Sequence, residues 1–276
     1  YAEGYGVSYQ GIDYAHDNDI SLIIALDCGI KAIDKVAYAK EKEIDFIICD
    51  HHRPGAEIPD AVAVLDPKRK DCNYPYDELC GCGVGFKLIQ AIAQKAGYPV
   101  NSLLPYLDLV ATAIGADIVP ITGENRVLAY FGLEVINTLP RTGIQALIEN
   151  VKKDKLTITD VVFIIAPRIN AAGRIKHGLH AVDLLKETDK ERAMKMAAEI
   201  ESFNAERKDL DKLITEQALE QILDKKEENR KTTVVFKEDW HKGVIGIVAS
   251  RLTETYYRPT LVFTQSGEKL AASARS

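Results

Sequence analysis

The sequence predicts an α/β protein built on parallel sheet, and three observations predict it. Short apolar runs alternate with stretches of helical period. Three of those runs, ending at Leu26, Cys49 and Leu65, pass directly into an aspartate: Asp27, Asp50 and Asp66. The same alternation of strand and helix resumes after residue 232. Continuous apolar runs mark strands buried on both faces, as in crossover-linked parallel sheets. Open sheets of this kind gather their chemistry at the carboxyl ends of the strands, where these acids fall.

A chain of 276 residues implies one large domain or two modest ones. With 46% hydrophobic and 28% charged residues it has the composition of an ordinary globular protein. No apolar run reaches the roughly 18 to 20 residues that span a bilayer, and no signal peptide precedes the first strand, so the cytoplasm is the expected compartment. A net charge of −6 argues against coating nucleic acid by bulk electrostatics and leaves room for a local basic groove. The five cysteines are an odd number without an export signal, which predicts free thiols. Cys80-Gly81-Cys82 has no second pair at zinc-finger spacing.

Taken in order, Glu3 to Gly6 reads as a turn and Ile12 to Asn18 as a short amphipathic helix. From Ser21 to Pro67 the pattern is strand, helix over Lys31 to Lys42, strand, loop, strand. That is βαβ logic with right-handed crossovers. A helix then opens at Gly81 and runs to about Lys95; its glycines lack dinucleotide-fingerprint spacing and follow no strand. Small residues at a helix start suit close approach to an anion or to a neighbouring helix. Helical periodicity continues over Leu104 to Ile114, Asn125 to Asn137 and Gly143 to Val151.

Asp117 sits among small and apolar residues, and an uncompensated buried carboxylate is expensive, so a cation is expected beside it. In Arg168-Ile169-Asn170-Ala171-Ala172-Gly173-Arg174, arginine forks suited to phosphate lie among residues too small to crowd a ligand. The bland alternative is a loop arginine pairing with a nearby acid. His177 and His180 lack an accompanying acid and read as solvated or structural. From about Asp189 to Glu228 runs one long, charge-laced helix, read as a connector between two domains. Strand Thr233 to Phe236, helix Gly243 to Thr255, strand Thr260 to Thr264 and a last strand from near Lys269 follow.

Asp27, Asp50, His51, His52 and Asp117 combine hard oxygen ligands with imidazole and no matching thiolates. That set suits Mn²⁺ or Mg²⁺ ahead of Zn²⁺ or Co²⁺. Carboxylates bridging two ions roughly 3.5 to 4 Å apart would activate water and neutralise a phosphoryl group, so the reaction class implied is phosphoester hydrolysis. Each residue alone has a bland account, since a strand-end Asp often caps a helix. The adjacency of Asp50, His51 and His52 tips the balance.

Asp27-Cys28-Gly29, Asp50-His51-His52, Leu79-Cys80-Gly81-Cys82-Gly83-Val84 and Gly115-Ala116-Asp117 resemble successive motifs of the DHH phosphoesterases. The run from Arg168 to Arg174, the long helix, and Trp240-His241-Lys242-Gly243-Val244-Ile245-Gly246-Ile247-Val248-Ala249 resemble the RecJ branch, single-strand-specific 5′→3′ DNA exonucleases. The resemblance implies a parallel-sheet DHH catalytic domain over 1–187, a connector helix over 188–229, and the start of a smaller α/β DHHA1 substrate-binding domain over 230–276. It implies that Asp27, His51 and Asp117 are metal ligands, with Asp27 bridging two ions, that His52 faces the scissile phosphate, and that Asp50 orients the histidines. Arg168, Asn170 and Arg174, with Ser273 and Arg275, would hold the DNA.

The pattern also departs from the family. Its first motif, Asp-x-Asp at a strand end, is expected upstream of Tyr1, and a late glycine- and histidine-rich motif beyond Ser276. The chain therefore reads as an internal segment, expected by itself to bind Mn²⁺ weakly and to cleave little single-stranded DNA. A helicase or single-strand-binding protein is an expected partner, and a membrane is not. Two alternatives stay open: a DHH oligonucleotide or nucleotide phosphatase or pyrophosphatase, and a non-catalytic DNA-binding relative.

Overall fold

The computed structural model describes residues 6–276, so the turn expected over Glu3 to Gly6 falls almost wholly outside the described residues. The chain divides into two compact units, one formed by Tyr1–Arg141 with Val151–Ala166 and the other by Thr142–Asn150 with Pro167–Ser276.

The first unit opens with α1 (Tyr9–Asp17), whose N-cap Ser8 accepts the Gly11 N–H through its hydroxyl at 3.0 Å. Then come β1 (Leu22–Leu26), α2 (Ile33–Glu41), β2 (Asp45–Cys49) and β3 (Ala63–Leu65). The three strands pair in the order β1-β2-β3, all parallel, as the βαβ pattern predicts. The register aligns Leu26 with Cys49 and Cys49 with Leu65, so Asp27, Asp50 and Asp66 leave the sheet side by side. Ile12, Val36, Ala39, Phe46 and Ile48 form the core between the sheet and its helices.

Along the chain there follow α3 (Gly81–Lys95), α4 (Leu107–Asp117), α5 (Gly123–Thr138), α6 (Thr142–Ile148) and the single turn α7 (Ile158–Asp160). All but α6 belong to the first unit. The α4 helix starts three residues later than the periodicity predicts. Pro105, which has no N–H to donate, holds Val100–Tyr106 as a 3-10 segment instead. Packing of α4 on α5 is backbone-close, because a Cβ on Gly132 would lie 2.2 Å from the Leu107 carbonyl oxygen. The wholly buried Asp108 accepts Arg141 Nη2 at 2.8 Å and Nε at 2.9 Å, which compensates both charges.

In the second unit, α8 (Ala166–Ile175) follows a π-helical turn, Val161–Ile165, so the arginines at 168 and 174 are on a helix rather than in a loop. Pro167, which has no N–H to donate, follows directly on that π turn, where the regular i to i−4 ladder is already interrupted. Next are α9 (Leu179–Lys186) and the 35-residue α10 (Lys190–Asp224), about 52 Å long at 1.5 Å per residue. The N-cap of α10 is Asp189, which accepts Arg192 N–H at 2.8 Å. β4 (Thr233–Phe236) pairs in parallel with β5 (Thr260–Ser266) across α11 (Ile245–Tyr256), and β6 (Lys269–Arg275) returns antiparallel to β5. α10 is packed rather than bare. Ala193, Ala197 and Ile200 are buried toward its start, and Ile214, Ala218 and Ile222 join Trp240, Val248 and Val262 in the core of the small sheet.

Candidate active site

The carboxyl edge of the first sheet carries the predicted cluster. The Asp27 backbone follows β1 in the left-handed region (φ 63°), tied by its N–H to the Cys49 carbonyl at 2.8 Å. A non-glycine residue costs roughly 1–2 kcal/mol there, strain that concentrates at functional sites. His51 follows β2 and is buried. Its Nε2 lies 3.0 Å from Asp27 Oδ1 and 3.3 Å from Asp117 Oδ2. The other ring nitrogen of His51, Nδ1, is buried with no hydrogen-bond partner among the described residues. Two carboxylate oxygens and an imidazole nitrogen thus converge, as ligands of a shared cation do.

The electrostatics agree. The Asp27 carboxylate, against the opposing effect of burial and with help from Asp117, holds the His51 pKa above its ordinary value. Burial raises the Asp117 pKa, which His51 lowers and Asp27 raises further. Two acids around one imidazole leave a surplus of negative charge that a divalent cation would balance. Asp27, His51 and His52 each offer a ligand atom within 4.8 Å of the others. Asp117 joins them through His51. The donor set of carboxylate oxygen and imidazole, with no thiolate, fits Mn²⁺ or Mg²⁺.

Asp117 is at the last position of α4, and its side chain is 39% exposed. The burial expected from its apolar neighbours is therefore corrected: Ile114 is buried in the core, but Asp117 and Ile118 at the end of α4 are exposed, and Asp117 reaches His51.

Asp50 is the hydrogen-bonding centre of the strand end. It is 1% exposed and accepts Ile30 N–H at 2.9 Å, His51 N–H at 2.8 Å, His52 N–H at 3.2 Å and His52 Nδ1 at 2.7 Å. Burial pushes its carboxyl pKa up, but the bonds from Ile30 and His52 outweigh that and hold it low. With Nδ1 bonded to Asp50, the exposed His52 ring has Nε2 left to meet a substrate. Asp66, the third strand-end acid, is buried, accepts Lys68 N–H at 2.8 Å and stays outside the ligand group.

The cysteines are free. Burial pushes Cys80 up to about 12 and Cys82 to about 11. Cys80 instead caps α3, its Sγ accepting Gly83 N–H at 3.2 Å.

The five residues expected to hold nucleic acid all lie in the second unit. Arg174 donates from Nη1 to the Gly243 carbonyl at 3.2 Å, at the approach to α11. Ser273 Oγ lies 3.1 Å, and Arg275 Nη2 3.6 Å, from where a Cβ on Gly246 would be. The segment from Gly243 to Gly246 thereby gathers Arg174, Ser273 and Arg275. Asn170 is exposed on α8. Arg168 pairs with Glu201 of α10, the arginine-to-acid pairing that the sequence left open.

Sequence reasoning missed Arg207. It sits four residues before Asp211 on α10, and Asp211 is held by Arg251 of α11 at 2.8 Å. Burial, with Arg174 and Arg251 nearby, lowers the Arg207 pKa. It also missed how closely Gly81 approaches Asp27, a Cβ at 81 falling 2.2 Å from Asp27 Oδ1, although the small residues opening α3 carried the signal.

This fold and site are those of a DHH protein. The model of the DHH family, N-terminal domain, matches residues 5–114. The single-stranded-DNA-specific exonuclease RecJ of Bacillus subtilis (strain 168) is 40% identical over 282 residues, covering 100% of this chain and 35% of that protein. Its counterpart in Escherichia coli (strain K12) is 35% identical over 293 residues, covering 100% of this chain and 51% of that one. A crystal structure of exonuclease RecJ bound to manganese superimposes with a TM-score of 0.87 at 32% identity, covering 99% of this chain and 67% of that chain. The chain belongs to the RecJ family.

Proposed function

We propose that this chain supplies metal-binding and strand-binding elements of a metal-dependent exonuclease acting 5′→3′ on single-stranded DNA in repair and recombination. The observation that carries the reading is the convergence of Asp27 Oδ1, at 3.0 Å, and Asp117 Oδ2, at 3.3 Å, on one nitrogen of the buried His51. Asp27, His51 and Asp117 would hold Mn²⁺ or Mg²⁺. When bound, such an ion supplies charge neutralisation at a phosphodiester and acidifies an attacking water.

The chain's own side chains do the rest. Asp50 fixes the His52 ring so that Nε2 faces the scissile phosphate. The Asp50 bonds also keep both histidines at the strand end at which Asp27 stands. Arg174, Ser273 and Arg275 hold phosphate oxygens of the strand, with Asn170 beside them. Arg168 contributes when it exchanges Glu201 for a phosphate. In domain terms the DHH catalytic domain is assigned to 1–187, the connecting helix to 188–229 and the start of the DHHA1 domain to 230–276. The expected setting is the cytoplasm, with a helicase or single-strand-binding protein as partner; among the described residues no helix is long and apolar enough to cross a membrane.

The test is a 5′-labelled single-strand length series with the full-length protein and Mn²⁺. Processive loss of long strands is expected, abolished by His51→Ala. Preference for dinucleotides or free nucleotides would move the assignment to a DHH phosphatase. An unaffected rate in His51→Ala would remove the metal assignment.

A further inference from the structure

We infer that Gly81, the first residue of α3, is a positioning residue that sets where the Asp27 carboxylate stands. The inference rests on the reading of Asp27 as a metal ligand and names what holds it in place.

A Cβ built on Gly81 would lie 2.2 Å from Asp27 Oδ1 and 2.6 Å from both Asp27 Cβ and Cγ. The carboxylate therefore occupies the volume that any side chain at position 81 would fill. Neither partner can yield cheaply. Gly81 is buried at the start of a 15-residue helix anchored by Val84, Phe86 and Ala93 in the unit's core. Asp27 is held from the other side, its backbone in the left-handed region and its N–H on Cys49. An alanine at 81 must therefore turn the Asp27 side chain away, and because rotation leaves the Asp27 Cβ where it is, 2.6 Å from the new methyl, the Asp27 backbone or the helix start must give as well. Rotation would take Oδ1 from His51 Nε2, 3.0 Å away, and dissolve the convergence on which metal binding depends.

The helix contributes electrostatically as well. The N-terminal end of the helix carries partial positive charge, only the Gly83 N–H of its first turn being capped by Cys80 Sγ, and the carboxylate stands against that end. The anion that the small residues opening α3 admit is thus a side chain of the same protein.

The helix supplies its own control. A Cβ on Gly83, two residues on, meets Cys80 Sγ at 3.3 Å and Leu79 Cδ2 at 3.5 Å, and nothing of Asp27. Gly81→Ala and Gly83→Ala make the same change of helix propensity on the same turn but differ in their contact with the carboxylate.

The experiment is Mn²⁺ binding, by calorimetry and by the Mn²⁺ electron paramagnetic resonance signal, to the unmodified protein, Asp27→Ala, Gly81→Ala and Gly83→Ala, together with a crystal structure of Gly81→Ala. Gly81→Ala is expected to lose on the order of 10- to 100-fold in affinity, the range for residues that orient metal ligands, with an unchanged circular dichroism spectrum and with Gly83→Ala near the unmodified protein. The crystal structure is expected to show Asp27 Oδ1 displaced from His51 Nε2. Gly81→Ala binding Mn²⁺ like the unmodified protein while Asp27→Ala fails would overturn the inference and leave the site standing. If Asp27→Ala also binds normally, the reading of the site fails instead. Should binding be too weak to compare, the crystal structure decides, and an Asp27 carboxylate that keeps its place in Gly81→Ala overturns the proposal.

Discussion

Ile30 and Asp50 are 20 residues apart and joined by a 2.9 Å hydrogen bond, the Ile30 N–H donating to Asp50 Oδ2. The bond ties the loop after β1 to the end of β2, so the element carrying Asp27 and the element carrying His51 are held through one buried carboxylate. Replacing that carboxylate by an amide would turn a donor toward the N–H of Ile30 or of His51. Asp50→Asn is expected to destabilise the fold by about 2 kcal/mol, the scale of a charged hydrogen bond lost from a buried site. Urea denaturation measures it, and a midpoint equal to the unmodified protein's would show that Asp50 carries no such burden.

Arg174 and Arg168 differ in what holds them at rest, a backbone carbonyl in one case and the Glu201 carboxylate in the other. If both meet phosphates, each substitution to alanine lowers the slope of log affinity against log salt by about 1. Arg168→Ala should also expose Glu201, so Glu201→Gln is expected to tighten single-stranded DNA binding. Fluorescence anisotropy over a salt series checks this; a slope unchanged by Arg174→Ala would exclude it from the phosphate contacts.

Asp160 closes the capping box of α7 with Thr157 and pairs with Lys153. Lys153 first, then the Thr157 N–H and hydroxyl, depress its pKa to about 2. A carboxyl depressed in the folded state stabilises above its unfolded pKa and loses that contribution as pH falls through the folded one. The Tm difference between the unmodified protein and Asp160→Asn is therefore expected to be full at pH 6 and to shrink between about pH 4 and 2. A difference constant across that window would contradict the assignment.

Gly132 permits the approach of α5 to α4, its missing Cβ lying 2.5 Å from Ala111 Cβ as well as 2.2 Å from the Leu107 carbonyl. Gly132→Ala is expected to cost about 1–3 kcal/mol by overpacking, despite alanine's better helix propensity. Thermal melts decide the sign, and a stabilised variant would mean that the two helices part freely.

The sequence by itself determined the parallel arrangement and the order of chemistry along the chain. The apolar runs form parallel strands with their acids at one edge, but the burial on both faces that continuous apolar runs predict fails in β1, where Leu22, Ile24 and Leu26 are exposed on one face. Helix limits were less legible where a backbone constraint intervened, as at Pro105, or where a π turn let Arg168 and Arg174 join a helix. Which polar residues meet was decided by tertiary structure alone. Asp66 has the same strand-end position as Asp27 and Asp50, yet its own loop captures it through the Lys68 N–H. Asp117 comes from the far end of a helix, and no local pattern encodes its 3.3 Å approach to His51. The strained Asp27 needs a gap in a helix more than fifty residues on, at Gly81. Sequence patterns report each residue's preference for burial and for local backbone; contacts between distant segments depend on how packed helices and strands share a fixed volume.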